Sequence, residues 1–99
     1  MKDIYTKLNK IFDSRVRLGI MAALTVNEEL EFSALKELLE LTDGNLASSL
    51  KILEREGYIK VKKQFIGRKP NTKYECTARG RKAFTEHLDQ LERLIKIQK

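Results

Sequence analysis

Few residues in this chain have the types and spacing that bond-making chemistry requires. Cys76 and His87 are its only thiol and its only imidazole, and they stand eleven residues apart on different expected elements. That falls short of the clustered ligand set a metal site needs. A nucleophilic Cys76 would need a base beside it in a pocket, and the sequence suggests none. Glu28 and Glu29 form an acidic pair in a polar turn, expected to face solvent without a partner group. No Gly-rich phosphate loop or dinucleotide fingerprint occurs. An enzyme is therefore not expected, nor a cofactor, nor a metal.

What remains is hydrogen-bonding and cationic chemistry. Within LTDGNLASSLKILEREG, residues 41–57, Asn45, Ser48 and Ser49 offer an amide and two hydroxyls to base edges or phosphates. Lys51 and Arg55 share that side or its rim and suit phosphates. The backbone amides of Gly44 and Asn45, at the start of a helix, are themselves an anion site. A plain amphipathic surface helix is the alternative for this stretch taken alone.

The charge distribution favours the first reading. The chain has a net charge of +6 and a pI near 9.6. Residues 58–82 alone carry +8, leaving −2 for the rest. Such a field favours a polyanionic partner. Within it Arg68, Lys69 and Asn71 mark the tip of a turn, with Lys62 and Lys73 flanking them. Arg15 and Arg17 are weaker candidates that could serve only local contacts. The lone Cys76 fits a reducing, cytoplasmic location. MKDIYTKLNK is too polar for a secretory leader, and no apolar run is long enough to span a membrane.

The elements that must position these residues follow from apolar spacing. Ninety-nine residues suit one domain over 1–99. Ile4, Tyr5, Leu8, Ile11 and Phe12 predict an N-terminal helix over residues 1–12. Asp13-Ser14 opens a buried helix, Arg15 to Leu24. Leu30-Glu31-Phe32 suits a very short strand. Ser33 can cap a helix over Ala34 to Leu41, with Leu35, Leu38 and Leu39 facing in. Thr42 and Asp43 are both N-cap types for the helix over 43–56, whose inner stripe is Leu46, Leu50 and Leu53. Gly57 supplies its stop, and Ile52 is expected under the hairpin that follows. The period then changes to two, with Ile59, Val61 and Phe65 on one face. Residues 66–71 are turn-rich, and 72–77 alternate again. Cys76 is expected in the base of this hairpin. Thr77 can cap a last helix, although Gly80 in its first turns argues against so early a start.

Phe84, Leu88, Leu91 and Ile95 form a seam on the last helix longer than this domain needs for its own core. A second copy of the chain would bury it. The helix over residues 84–98 and the N-terminal helix, with Ile4, Leu8 and Ile11, are the expected dimerisation elements. His87 is expected at that interface or on the surface.

The order of elements is mainly α with a small β-hairpin, a winged helix-turn-helix. Arg15 to Leu24 followed by Phe32-Ser33-Ala34-Leu35 resembles the opening of small bacterial and archaeal winged-helix regulators. Leu41 to Ile59 is similar to their recognition helix and first wing strand. Tyr74-Glu75-Cys76-Thr77-Ala78-Arg79-Gly80 resembles their Y-x-L-T-x-x-G step out of the wing, with Cys76 where Leu is usual. The resemblance runs from Ser14 to Phe84 and points to the MarR/ArsR/PadR-like group without choosing among its subfamilies. It implies a homodimeric transcriptional regulator of double-stranded DNA, with helix 43–56 in the major groove and wing 58–77 on the flanking backbone or minor groove. Asp43 would be a cap and not a contact. A small-molecule effector between the dimer helices stays open.

Two other readings compete. A winged helix can dock an acidic protein partner instead of DNA, since fold does not settle function. Non-specific or RNA binding is the third reading. Against RNA, the seven aromatics are expected mostly at core positions and not on a stacking platform.

Overall fold

The computed structural model describes residues 2–97 of the chain. Its elements are α1 (Lys2–Thr6), a 3₁₀ turn (Lys10–Asp13), α2 (Arg15–Val26), β1 (Leu30–Glu31), α3 (Phe32–Leu39), α4 (Asp43–Arg55), β2 (Ile59–Ile66), β3 (Lys69–Cys76) and α5 (Ala78–Ile97). Met1 and Gln98, which end the expected 1–12 and 84–98 helices, and Lys99 lie outside the described residues.

The core collects one apolar stripe from each helix. Ile20, Met21 and Leu24 of α2 meet Leu35 of α3 and Leu46, Leu50 and Leu53 of α4. Tyr58 and Ile59 close it from the start of the hairpin, where Phe12 and Phe84 join them. The Phe12 ring lies 5.6 Å from Tyr58 and 5.5 Å, edge-on, from Phe84, separations typical of favourable aromatic pairs.

Local signals set the helix ends. The Ser14 hydroxyl accepts from the Arg17 amide, and the Thr42 hydroxyl accepts from the Asn45 amide. Thr42 is thus the cap of α4. Asp43 is already helical, and its carboxylate pairs with Lys36 of α3 at 2.9 Å across the turn. That turn passes through Glu40 in the left-handed region, φ 51°. The Leu41 amide donates back to the Lys36 carbonyl, which satisfies one of the carbonyls α3 leaves open at its end. Thr77 caps α5, its hydroxyl accepting from the Gly80 amide and donating to the Gly57 carbonyl at 2.6 Å.

Gly80 is inside α5 for a packing reason. A Cβ there would collide with the Tyr58 carbonyl group. The glycine that disfavours a helix start by propensity is what lets that start pack on the hairpin.

β2 and β3 pair antiparallel from Ile59↔Cys76 to Ile66↔Lys69. The hairpin therefore turns through only Gly67 and Arg68, tighter than the turn expected over 66–71. Gly67 has φ 67° and Arg68 does not share the positive region, the pattern of a two-residue turn with Gly first. β3 is central, because β1 joins its other edge at Leu30↔Tyr74 and Glu31↔Lys73.

Several expectations change. The N-terminal helix stops at Thr6, and the chain resumes as a 3₁₀ turn at Lys10, with Asn9 as its cap. Ser33 is inside the first turn of α3, which starts at Phe32 without a side-chain cap. Leu38 points outward and is exposed, as are Tyr5 and Phe65. Leu35 and Leu39 take the inner positions of α3, and Leu38 lies at the exposed edge of that stripe.

Candidate nucleic-acid interface

The helix-turn-helix presents α4 with its leucines inward, so its polar strip faces solvent. Gly44, Asn45, Ser48, Lys51 and Arg55 are all exposed. Gly44, Ser48, Lys51 and Arg55 recur at steps of three and four and therefore share one side, with Asn45 at its rim, three residues before Ser48. The Ser48 hydroxyl donates to the Asn45 carbonyl. Gly44 has a negative φ, and nothing lies within 4 Å of where its Cβ would stand. Neither conformation nor packing inside the chain requires a glycine there.

Ser49 does not belong to this strip. It is buried, with Leu46, Leu50 and Leu53. Those four positions are i, i+3, i+4 and i+7, so helical geometry turns Ser49 inward although its type suggested a contact.

The hairpin separates its cations into two groups. At its base, Lys60 pairs with Glu75 at 2.9 Å, Lys62 lies 3.6 Å from both Glu75 and Glu29, and Lys73 lies 3.4 Å from Glu29. Lys62 and Lys73 are thus held by carboxylates of the same chain. Glu29 is half-buried and partnered, not a free acid in a turn. The lysines hold the Glu75 carboxyl below the usual carboxylate range, chiefly through the Lys60 hydrogen bond. At the tip, Lys63, Arg68 and Lys69 are exposed. Asn71 is half-buried, its side-chain oxygen accepting from Gln64 at 3.2 Å.

Two further cations of the basic segment make contacts within the chain, as does Arg17 outside it. The Arg79 Nε donates to the Glu56 carbonyl, and its guanidinium stands 5.6 Å over the Tyr58 ring. Arg81 donates to the Thr25 carbonyl, and Arg17 to the Ile11 carbonyl at 2.6 Å. Charge counting could not separate these from the tip residues. Lys63 is one of nine cations in residues 58–82, and its position near the exposed tip is what singles it out.

The expected dimer seam divides as well. Phe84 is 6% exposed and Ile4 6%, both turned into the chain's own packing, and Ile11 is half-buried against the core. Leu88 and Ile95 are exposed, Leu8 and Leu91 half-buried. His87 is buried between α5 and the N-terminal segment. Burial lowers its pKa, with the Asp13 carboxylate opposing. Burial raises the pKa of the half-buried Cys76 at the hairpin base, with Arg81 opposing. Among the described residues no three His, Cys, Asp or Glu side chains cluster to hold a metal ion, and no helix is long and apolar enough to cross a membrane.

An outward polar helix beside a cationic hairpin is the surface expected of a winged helix. The sequence profile of the winged helix DNA-binding domain family matches residues 16–95. The chain belongs to this family. Its winged helix is similar to the transcriptional regulator homologue protein from Pyrococcus horikoshii OT3, with 34% identity, a TM-score of 0.87, and coverage of 97% of this chain and 96% of that one. It is also similar to the protein MJ0432 of Methanocaldococcus jannaschii, 44% identical over 88% of this chain and 95% of the other. The fold alone is shared with Bacillus subtilis PadR, solved with operator DNA. There identity is 18% and the TM-score 0.68, over 76% of this winged helix and 48% of PadR.

Proposed function

We propose that this winged-helix protein is a sequence-specific regulator that binds double-stranded DNA as a homodimer in the cytoplasm. In this reading α4 enters the major groove. Asn45 pairs with an adenine edge and Ser48 with a base or phosphate. Lys51, Arg55 and the first amides of α4 hold phosphates. Arg68 and Lys69 grip the flanking backbone or minor groove. Lys62, Lys73 and Asn71 serve chiefly to shape the wing.

The observation that carries the reading is the outward face of α4. The strip of Gly44, Asn45, Ser48, Lys51 and Arg55 holds no acidic side chain, with exposed Asp43 and Glu54 at its borders, and carries a glycine the fold itself does not need. A backbone without a Cβ can approach a phosphate more closely. That PadR, which shares this fold, is solved with operator DNA supports DNA as the ligand. For dimerisation the support is exposed Leu88 and Ile95 and half-buried Leu91 on α5, with exposed Tyr5 on α1, which packs on α5.

Selection of bound fragments from a random duplex pool tests the reading. The expected product is a pseudo-palindrome with half-sites about one helical turn apart. Its affinity should exceed that of random DNA by at least roughly a thousandfold. The logarithm of affinity should fall with that of salt, with a slope of about 0.9 per neutralised phosphate. A flat salt response, or equal affinity for every duplex, would overturn the reading. Capture of an acidic protein with no retention of DNA would replace it with the interaction-module alternative.

A further inference from the structure

We propose that the wing tip is an apolar wedge for the DNA minor groove, and that Phe65 and Ile66 favour duplexes that unstack easily. This rests on the DNA-binding reading above and adds a specificity mechanism to it. Phe65 is 74% exposed and Ile66 59%. Successive strand residues point to opposite faces, so the two side chains flank the hairpin end, Phe65 opposite Pro70 and Ile66 opposite Lys69. The core claims neither.

Charge decides what can cover them. Residues 63–72 contain Lys63, Arg68 and Lys69 and no acidic residue. A second copy of the same tip would bring like charges together, whereas a polyanion is attracted. The end of the hairpin is also narrow, with only Gly67 and Arg68 between the strands and open space around Gly67. The B-form minor groove is about 6 Å wide, and paired strands alone are about 4.8 Å apart. A hairpin with a phenyl ring on one face and an isoleucine on the other does not fit an undistorted groove. Entry must widen the groove or part a base step, as inserted apolar side chains do. Pyrimidine–purine steps yield most readily, and A-tracts resist. The ion pairs at the hairpin base brace the wedge from behind.

Two duplexes of equal length separate this from simple phosphate binding, one alternating T and A, the other a homopolymeric A-tract. Composition and phosphate number are identical, and only deformability differs. The intact chain should bind the alternating duplex about tenfold more tightly at low salt. The Phe65→Ala/Ile66→Ala double variant should lose that preference and keep the salt slope, because no cation is removed. The chain has no tryptophan, so Phe65→Trp supplies a single reporter, whose emission should be quenched on the alternating duplex.

A double variant that keeps the preference, together with an indole unaffected by DNA, overturns the wedge and leaves the DNA reading standing. Failure to bind either duplex at low salt overturns both. If the double variant instead loses a dimer that the intact chain forms in sedimentation, the tip is a self-association surface and the wedge is wrong.

Discussion

The Nδ1 atom of His87 accepts a hydrogen bond from the backbone amide of Asn9 at 3.1 Å, joining positions 78 residues apart. The Asn9 side chain extends the link, with its oxygen accepting from the Ile11 amide and its nitrogen donating to the Tyr58 hydroxyl at 2.8 Å. Phe12 lies 5.1 Å from the imidazole. The N-terminal segment is thus fastened to α5 through an imidazole that must be neutral at Nδ1.

Acidification should loosen that link. Burial depresses the His87 pKa from its ordinary 6.5 in the folded chain. The unfolded chain therefore takes up the proton first, and stability falls with pH wherever it does so. The contribution is fully present above about pH 6.5 and is lost as pH drops through the folded value. Urea midpoints measured from neutral to mildly acidic pH should show the decline. His87→Asn, whose side-chain oxygen can accept in place of Nδ1, should flatten it. An unchanged slope in that variant would assign the decline to other groups.

Two glycines should respond oppositely to alanine. Gly80→Ala drives a methyl into the Tyr58 carbonyl and should cost about 1–3 kcal/mol, the usual range for overpacking. Gly44→Ala meets open space and should add up to about 1 kcal/mol of stability from helix propensity. The same methyl should weaken DNA binding by standing between the α4 backbone and a phosphate. Thermal melts and a binding titration measure the two effects separately. A Gly44→Ala protein with unchanged DNA affinity would remove α4's first turn from the interface.

The wing lysines should divide by position. Arg68→Ala and Lys69→Ala should each reduce the salt slope by about 0.9 and weaken all sequences alike. Lys62→Ala and Lys73→Ala, which unpair Glu29 or Glu75, should change the slope less. Asn45→Ala should instead relax preference at one base pair, by about 1–3 kcal/mol. Identical behaviour of Asn45→Ala and Lys69→Ala would mean that base reading is misplaced.

Charge on the exposed part of α5 should separate protomers without unfolding them. Leu88→Glu and Ile95→Glu alter side chains that are 45% and 62% exposed. They should sediment as a folded 11.5 kDa species at concentrations where the unaltered chain is a dimer. Phe84→Glu, by contrast, should unfold the protomer, since Phe84 packs edge-on against Phe12 in the core.

Periodicity made most of the fold readable. The leucines of α4, the switch to period two after Gly57 and the Ser14, Thr42 and Thr77 caps all mark their elements in the sequence. Positions where residue type and geometry disagree were less readable. Ser49 is polar but sits on the inner side of its helix, while Leu38 is apolar but exposed at the edge of its helix's inner stripe, and Phe65 shares the face of Ile59 but lies beyond the end of the core. Glu40 takes a left-handed conformation with no glycine to announce it, because the following turn over-determines its backbone. The break at residues 7–9 depends on His87 and Tyr58, too distant in sequence for a local pattern to show. For the candidate interface, charge located the hairpin and could not tell Arg68 from Arg79, since pairing is a property of three-dimensional neighbours.

β1 has a consequence out of proportion to its length. Its two residues hydrogen-bond to β3 at Tyr74 and Lys73, and Phe32 begins α3 with no loop between. The hairpin and the first helix of the helix-turn-helix therefore share a joint with no connecting loop. If the proposed contacts of α4 and Arg68 hold, that joint sets the span between them, and a duplex would match it or deform to it.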